Sequence, residues 1–148
     1  MLSILRQPVT RPAYTLSFVS TLYVRPILDL LVLEVPRCWQ AEVRLGLQEA
    51  LVNASMHGNG LDASKRVTVE VFNQAPLYQW TIVDEGPGFN SHCRCQRQLG
   101  RDIATTDECG RGVYLLKQIF DRVEWNETGN ELQLAKAIHR YSNAPLIS

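Results

Sequence analysis

The sequence feature that most constrains the fold is a change of hydrophobic period near residue 60. Residues 39–57 predict a helix whose apolar side chains recur three and four positions apart, at Val43, Leu47, Ala50 and Ala54. Two glycines, at positions 58 and 60, end this helix. From residue 67 the period falls to two, which predicts strands at 67–72 and 77–84 joined by the turn sequence NQAP. A helical pattern followed by a hairpin predicts a helix layer packed on a sheet.

The flanking segments extend this architecture. Residues 14–21 alternate as a strand, residues 22–33 have helical spacing with a proline in the first turn, and residues 112–123 predict another helix. Residues 132–139 suit a final strand. The order strand, helix, helix, strand, strand, loop, helix, strand predicts an α/β two-layer sandwich. Its sheet is expected to be mixed but mostly antiparallel, with the helices on one face.

Composition excludes several classes of protein. The chain has 148 residues, of which 45% are hydrophobic and 20% charged, so a disordered or collagen-like chain is excluded. Fifteen basic and fifteen acidic residues balance, which argues against a generally basic nucleic-acid binder. The longest apolar stretch, residues 27–35, contains Asp29 and Glu34 and is far shorter than the roughly 20 residues of a membrane span. The N-terminus lacks a signal-peptide pattern, so a cytoplasmic protein is expected.

The four cysteines, at positions 38, 93, 95 and 109, are expected to be free thiols in a reducing compartment. A zinc site at Cys93 and Cys95 beside His92 stays open as an alternative. Its spacing is not the usual C-x2-C, and no second ligand pair follows.

The first pattern with chemical potential lies on the long predicted helix. Glu49, Asn53 and His57 are four residues apart and therefore share a face. An amide oxygen is a hard ligand suited to Mg²⁺, and a carboxylate one turn away could accept a proton from a hydroxyl. A solvated helix face is the simpler alternative.

The second pattern ends a predicted strand. Asp84 is followed by Gly86 and Gly88 in the sequence DEGPG. A carboxylate at a strand end can accept a hydrogen bond from an exocyclic amine such as that of adenine, and glycines let the backbone approach a ligand closely. A plain turn is the alternative.

The third pattern, Gly110-Arg111-Gly112-Val113, opens the later predicted helix. Free N–H groups and the helix dipole make such a start an anion site, and Arg111 could contact a phosphate. A glycine-rich helix entry without function is the alternative. Neither a Walker A motif nor a Rossmann fingerprint is present.

Taken together and in this order, the three patterns resemble the GHKL, or Bergerat-fold, ATP-binding domain. The matching segments are EALVNASMHGN (49–59), VDEGPGF (83–89) and GRGVYLLKQIFDRV (110–123). The resemblance covers about residues 14–139. The E-A-x-x-N-A-x-x-H-G form is most similar to the bacterial anti-sigma-factor serine/threonine protein kinases.

The resemblance implies roles for individual residues. Glu49 would be the general base for a substrate serine, Asn53 would hold Mg²⁺ at the ATP phosphates, and Asp84 would bind the adenine amine. A lid over about residues 90–109 would cover the phosphates. The other implied nucleotide-binding residues are His57, Gly86, Gly88, Thr105, Thr106, Gly110, Arg111, Gly112 and Val113.

The resemblance also implies domain limits and partners. A lead-in at 1–12 and a tail at 141–148 would flank one ATP-binding kinase domain at 13–140. The phosphoryl acceptor would be a serine of an anti-anti-sigma (STAS) protein, and the second partner a sigma factor. A homodimer is expected, with no direct nucleic-acid or membrane contact. A catalytically weak, nucleotide-dependent binding module that regulates transcription by switching partners is the alternative.

Two segments depart from the family pattern. Gln133 stands where the family often has a small hydroxyl residue near adenine. Residues 91–101, SHCRCQRQLGR, contain three arginines, at positions 94, 97 and 101, and no acidic residue. We therefore predict a mobile basic lid, formed by Arg94, Arg97 and Arg101 with their neighbours, that orders around ATP.

Overall fold

The computed structural model describes residues 11–88 and 108–139, together with Pro145. A single turn of π-helix, Ala54–Gly58, continues the second helix and is called the π-turn below. The helices and strands follow one another as β1 (Tyr14–Val19), α1 (Arg25–Leu31), α2 (Arg37–Asn53), β2 (Arg66–Gln74), β3 (Leu77–Asp84), α3 (Glu108–Ile119), β4 (Arg122–Trp125) and β5 (Glu131–Ala137).

The strands form one five-stranded sheet in the order β1-β2-β3-β5-β4. Every pairing among the described strands is antiparallel. The expected α/β sandwich with a mostly antiparallel sheet is therefore confirmed. The hairpin of β2 and β3 sets the register of the centre, where Val71 lies opposite Trp80 and Val69 opposite Ile82.

One face of the sheet is buried under the helices. Val67, Val69 and Val71 are fully buried, as the alternation of strand side chains requires. Trp80 lies at the centre of this face, and its indole Nε1 donates to the carbonyl of Leu31 at 3.3 Å. Its ring meets that of Phe120 edge to face, with centroids 5.8 Å apart. These contacts hold α1 and the end of α3 on the same face of the sheet.

A glycine brings α2 and α3 together. The apolar stripe predicted for α2 is buried, with Val43 and Leu47 completely inaccessible. Gly46 lies beside them, and a Cβ atom there would come within 3.0 Å of the Phe120 ring. A larger residue at 46 would therefore push the two helices apart. This close packing determines how the start of α3 meets the end of α2.

The prediction of a helix over 112–123 is wrong at both ends. The helix occupies Glu108–Ile119, and Arg122–Trp125 form β4. Val123 continues the helical spacing of Leu116 and Phe120, which hid the strand in the sequence. The chain turns at Asp121. Its backbone N–H donates to the carbonyl of Ala135 at 2.9 Å, and its carboxylate accepts from the N–H of Ala137 at 2.7 Å.

Other predicted boundaries shift by a few residues. The first strand ends at Val19 instead of residue 21, the first helix occupies Arg25–Leu31, and the last strand ends at Ala137. The proline predicted for the first turn of α1 is confirmed there. Across residues 11–88 and 108–139, no helix is long and apolar enough to cross a membrane.

Candidate nucleotide-binding site

The end of α2 carries the predicted carboxylate and amide as a bonded pair. Asn53 Nδ2 donates to Glu49 Oε1 at 3.3 Å, as side chains four residues apart on a helix can. Both side chains are half-buried. A Cβ atom at Gly112 of α3 would overlap Glu49 Oε1, so only glycine lets α3 approach this closely. Glu49 thus lies at the junction of the two helices.

The helix changes form before His57, the third residue of the predicted row. After Asn53 the helix widens into the π-turn, where the N–H of Asn59 donates to the carbonyl of Ala54 at 2.9 Å. Hydrogen bonds five residues apart need more than four residues per turn, against 3.6 in an α-helix. His57 lies in this wider turn and is exposed, whereas Glu49 and Asn53 are half-buried. Its role in nucleotide binding stays a prediction.

The π-turn meets the end of β3 at Asp84. A Cβ atom at Gly58 would overlap the Asp84 carboxyl group, and one at Gly86 would overlap the carbonyl of Gly58. The backbone N–H of Gly86 donates to Asp84 Oδ1 at 2.8 Å. Gly58 and Gly86 therefore pack against the Asp84 carboxylate. The predicted proximity of Asp84 and Gly86 takes the form of a direct hydrogen bond.

The surroundings of Asp84 alter its acidity. Asp84 lies on the helix-facing side of the sheet, in the same row as the buried Ile82. Burial raises the pKa of its carboxyl above the ordinary value of 3.8, while the Gly86 hydrogen bond and the charge of Lys65 act in the opposite direction. A partly desolvated carboxylate of this kind is a strong hydrogen-bond acceptor for a ligand amine.

A turn that the sequence analysis did not identify supports the loop after β3. The N–H of Asp84 donates to the carbonyl of Asn130 at 2.9 Å. Gly88 has a φ of +76°, and a Cβ atom there would overlap the carbonyl of Thr128. Asn126 Oδ1 accepts from the N–H groups of Gly129, Asn130 and Glu131 at 2.7, 3.1 and 3.2 Å, which organises the turn. Asn126 and Gly129 are of residue types that turns favour, and their short separation in the sequence was the signal that could have predicted this turn.

Gln133 does not lie beside Asp84, the residue predicted to bind adenine. Gln133 pairs with Thr81 of β3, so it lies on the sheet face opposite to Asp84. Its Nε2 donates to Glu131 Oε1 at 3.1 Å on that same face. Strand alternation explains this position, because the neighbouring Leu132 and Leu134 take the helix-facing positions.

Asn59, which directly follows the π-turn, was not predicted from the sequence to have a role. Its side chain is 3% exposed and is hydrogen-bonded through both its nitrogen and its oxygen. The oxygen accepts from the backbone N–H of Glu85 at 2.8 Å, directly after Asp84. Its place at the end of the quoted segment 49–59, next to two glycines, was the only sequence signal.

The predicted phosphate-binding residues are inside α3 and not before it. α3 begins at Glu108, so Gly110, Arg111, Gly112 and Val113 lie within its first two turns. Arg111 is exposed, Gly112 is buried and Val113 is half-buried. The last two residues of the predicted lid, 108 and 109, are helical. Its remaining residues up to 107, with Thr105, Thr106 and the three arginines, lie outside the described residues.

The oxygen atoms at the end of α2 fit a magnesium ion shared with phosphates. Mg²⁺ is usually held by one or two protein oxygens, several waters and the substrate phosphates. Asn53 Nδ2 is hydrogen-bonded to Glu49, so the amide oxygen Oδ1 is the atom of Asn53 that would bind the metal. Within the described ranges, no three residues among His, Cys, Asp and Glu cluster as metal ligands. The cysteine pair of the alternative zinc site lies outside those ranges.

These features are shared with a known family. The histidine kinase-like ATPase domain matches residues 32–136, which is more than half of the chain. The chain belongs to this family. The ATPase domain match includes α2, the π-turn, the hairpin of β2 and β3, and α3, so it covers the whole site. Among curated proteins, no sequence matches this chain significantly.

Membership confirms the GHKL resemblance. The protein contains an ATPase-type, nucleotide-binding domain. Glu49, Asn53, Asp84 and Gly86 of this ATPase domain lie where the helix layer meets the end of β3. The individual roles of these residues stay predictions.

Proposed function

We propose that the domain is an anti-sigma-factor-like serine/threonine protein kinase. It binds Mg-ATP, phosphorylates a serine of an anti-anti-sigma (STAS) partner and sequesters a sigma factor. The observation that carries this proposal is the placement of Glu49 between Asn53 and Gly112. Nucleotide binding alone needs no general base, whereas transfer to a serine hydroxyl does.

In this proposal, some residues of the site bind the nucleotide and others act in phosphoryl transfer. Asp84 accepts a hydrogen bond from the adenine amine, and the N-terminal N–H groups of α3, with Arg111, bind the phosphates. Glu49 takes the proton of the serine hydroxyl as its oxygen bonds to the γ-phosphorus. The bond from that phosphorus to the bridging oxygen breaks, and ADP leaves. Asn53 would hold Mg²⁺, which would supply positive charge beside the transferring group.

Phosphotransfer from γ-labelled ATP to purified STAS proteins of the same genome tests the proposal. We expect Glu49→Gln to bind ATP but to lose transfer, because the amide cannot accept the proton. Gln48→Ala, an exposed neighbour on α2, should retain transfer and serves as the control. Full phosphorylation by the Glu49→Gln variant would show that the general base has been assigned wrongly.

The alternative is a catalytically weak, nucleotide-dependent binding module that switches partners. The same assay separates the two, because saturable Mg-ATP binding without transfer to any STAS protein supports the module. The proposal further expects a homodimer in the cytoplasm without direct nucleic-acid or membrane binding. Capture of a sigma factor from a native extract in Mg-ADP or Mg-ATP, followed by its identification, tests the partner assignment.

A further inference from the structure

Asn59 connects three chain segments through one buried side chain. Its Nδ2 donates to Ser20 Oγ at 2.8 Å and to the carbonyl of Arg66 at 2.9 Å, and its Oδ1 accepts from the N–H of Glu85 at 2.8 Å. Both amide protons are therefore used. Ser20 follows β1, Arg66 begins β2 and Glu85 follows β3.

The surroundings of Asn59 are themselves fixed. Ser20 is buried, and its hydroxyl and its N–H both donate to the carbonyl of Lys65 at 3.0 Å. The backbone N–H of Arg66 donates to a carboxylate oxygen of Glu85, which makes a second link between β2 and the loop after β3. Asn59 therefore holds that loop against an anchored part of the sheet.

Asn59 is linked to Asp84 in two ways. It is covalently next to Gly58, which packs on the Asp84 carboxyl group, and it is hydrogen-bonded to Glu85, which follows Asp84 in the chain. We propose that Asn59 is a positioning residue for base recognition: it fixes the path of the chain through Glu85 and Gly86 and so orients the Asp84 carboxylate. This inference rests on the proposed binding of the nucleotide base at Asp84.

Three variants separate positioning from stability. Asn59→Ala removes all three hydrogen bonds, so we expect the preference for ATP over GTP, measured as a ratio of dissociation constants, to fall about tenfold. Ser20→Ala is the matched control: it removes one partner of Asn59 and leaves the Glu85 contact. It should lower the melting temperature without changing the preference. Asn59→Asp keeps an acceptor for the Glu85 N–H and should restore most of the preference while remaining destabilised.

Amide hydrogen exchange of Glu85 in the nucleotide-free protein gives a readout that does not depend on ligand. We expect protection in the wild type and in Ser20→Ala, and exchange about tenfold faster in Asn59→Ala. If Asn59→Ala does not fold, exchange in the wild type and in Ser20→Ala still tests the contact. Rapid exchange of the wild-type Glu85 amide overturns the inference.

The nucleotide measurements have their own contrary outcomes. Equal loss of preference in Ser20→Ala and Asn59→Ala would assign Asn59 a stabilising role only and overturn its positioning role. An unchanged preference in folded Asn59→Ala would do the same. A wild-type protein that binds no nucleotide would contradict the proposed function itself, whereas a rapidly exchanging Glu85 amide contradicts the Asn59 contact alone.

Discussion

Gly112 of α3 lies directly against the carboxylate of Glu49 in α2. The two residues are far apart in the sequence, and their contact places the N-terminal part of α3 beside the candidate general base. The contact depends on the missing Cβ atom, because a methyl group at 112 would occupy the position of Glu49 Oε1. Position 112 therefore couples helix packing to the chemistry of the site.

Gly112→Ala should disable the site. The added methyl group must displace either Glu49 or α3, so we expect at least a tenfold loss of phosphotransfer and a loss of about 1–3 kcal/mol in the free energy of unfolding. Labelled-ATP transfer and urea denaturation measure the two effects. Gln118→Ala, an exposed change on α3, is the control and should change neither. Unaltered transfer in Gly112→Ala would contradict the observed packing.

Gly58 and Gly60 should respond differently to alanine. A methyl group at Gly58 overlaps the Asp84 carboxyl group, so Gly58→Ala should reduce ATP affinity at least tenfold. Gly60 has a φ of +61° and open space around its Cα, so Gly60→Ala should cost about 1 kcal/mol of stability and leave affinity unchanged. Isothermal titration calorimetry and thermal melts give both quantities. Equal affinities for the two variants would contradict the role of Gly58.

Asp84 should make the nucleotide-free protein less stable as the pH rises. Burial raises the pKa of Asp84 in the folded protein above the value of 3.8, so folding favours the protonated form. Stability from this group is complete below the unfolded pKa and is lost as the pH rises through the folded pKa. Asp84→Asn should therefore unfold at higher urea than the wild type at neutral pH, with the difference shrinking towards pH 3.

The same substitution should weaken ATP binding, because it removes the carboxylate acceptor and replaces it with a neutral amide. Urea titrations at several pH values, with ATP affinity measured on the same samples, test both effects. A stability difference that does not change with pH would show that the raised pKa of Asp84 is wrongly assigned.

Lys136 should stabilise the far end of α3 without affecting the site. Its buried Nζ donates to the carbonyl of Ile119 at 2.6 Å and lies 4.5 Å from the centre of the Trp39 ring. Lys136→Met leaves that helix-end carbonyl without its partner, so we expect a loss of about 1–3 kcal/mol in unfolding free energy. Lys117→Met, an exposed lysine of α3, should lose far less. Urea denaturation compares them, and equal losses would contradict the assignment.

The sequence predicts the parts of the fold that local periodicity defines. The valines of β2 and the stripe of α2 lie on the buried face as expected, because each pattern repeats along its own element. β4 was missed because Val123 fits the helical spacing of α3 and the strand pattern equally well. Its assignment depends on pairing with β5, which is a long-range property.

The candidate site was predicted by residue type more reliably than by geometry. Glu49 with Asn53, and Asp84 with Gly86, form the expected close pairs. His57 lies in the π-turn, which a count of residues cannot distinguish from an α-helix. The face on which Gln133 lies depends on strand register. Asn59 acts through buried hydrogen bonds to three distant segments, and no local pattern reveals such partners.

The π-turn also sets a length requirement in the chain. Its wide turn accommodates one more residue than a single α-helical turn would, between Asn53 and Gly58. Deleting one residue there would let α2 continue as a regular helix but would draw Gly58 away from Asp84. Apart from Gly58, the segment should therefore tolerate substitution more readily than deletion, and its length is a constraint on any redesign of the site.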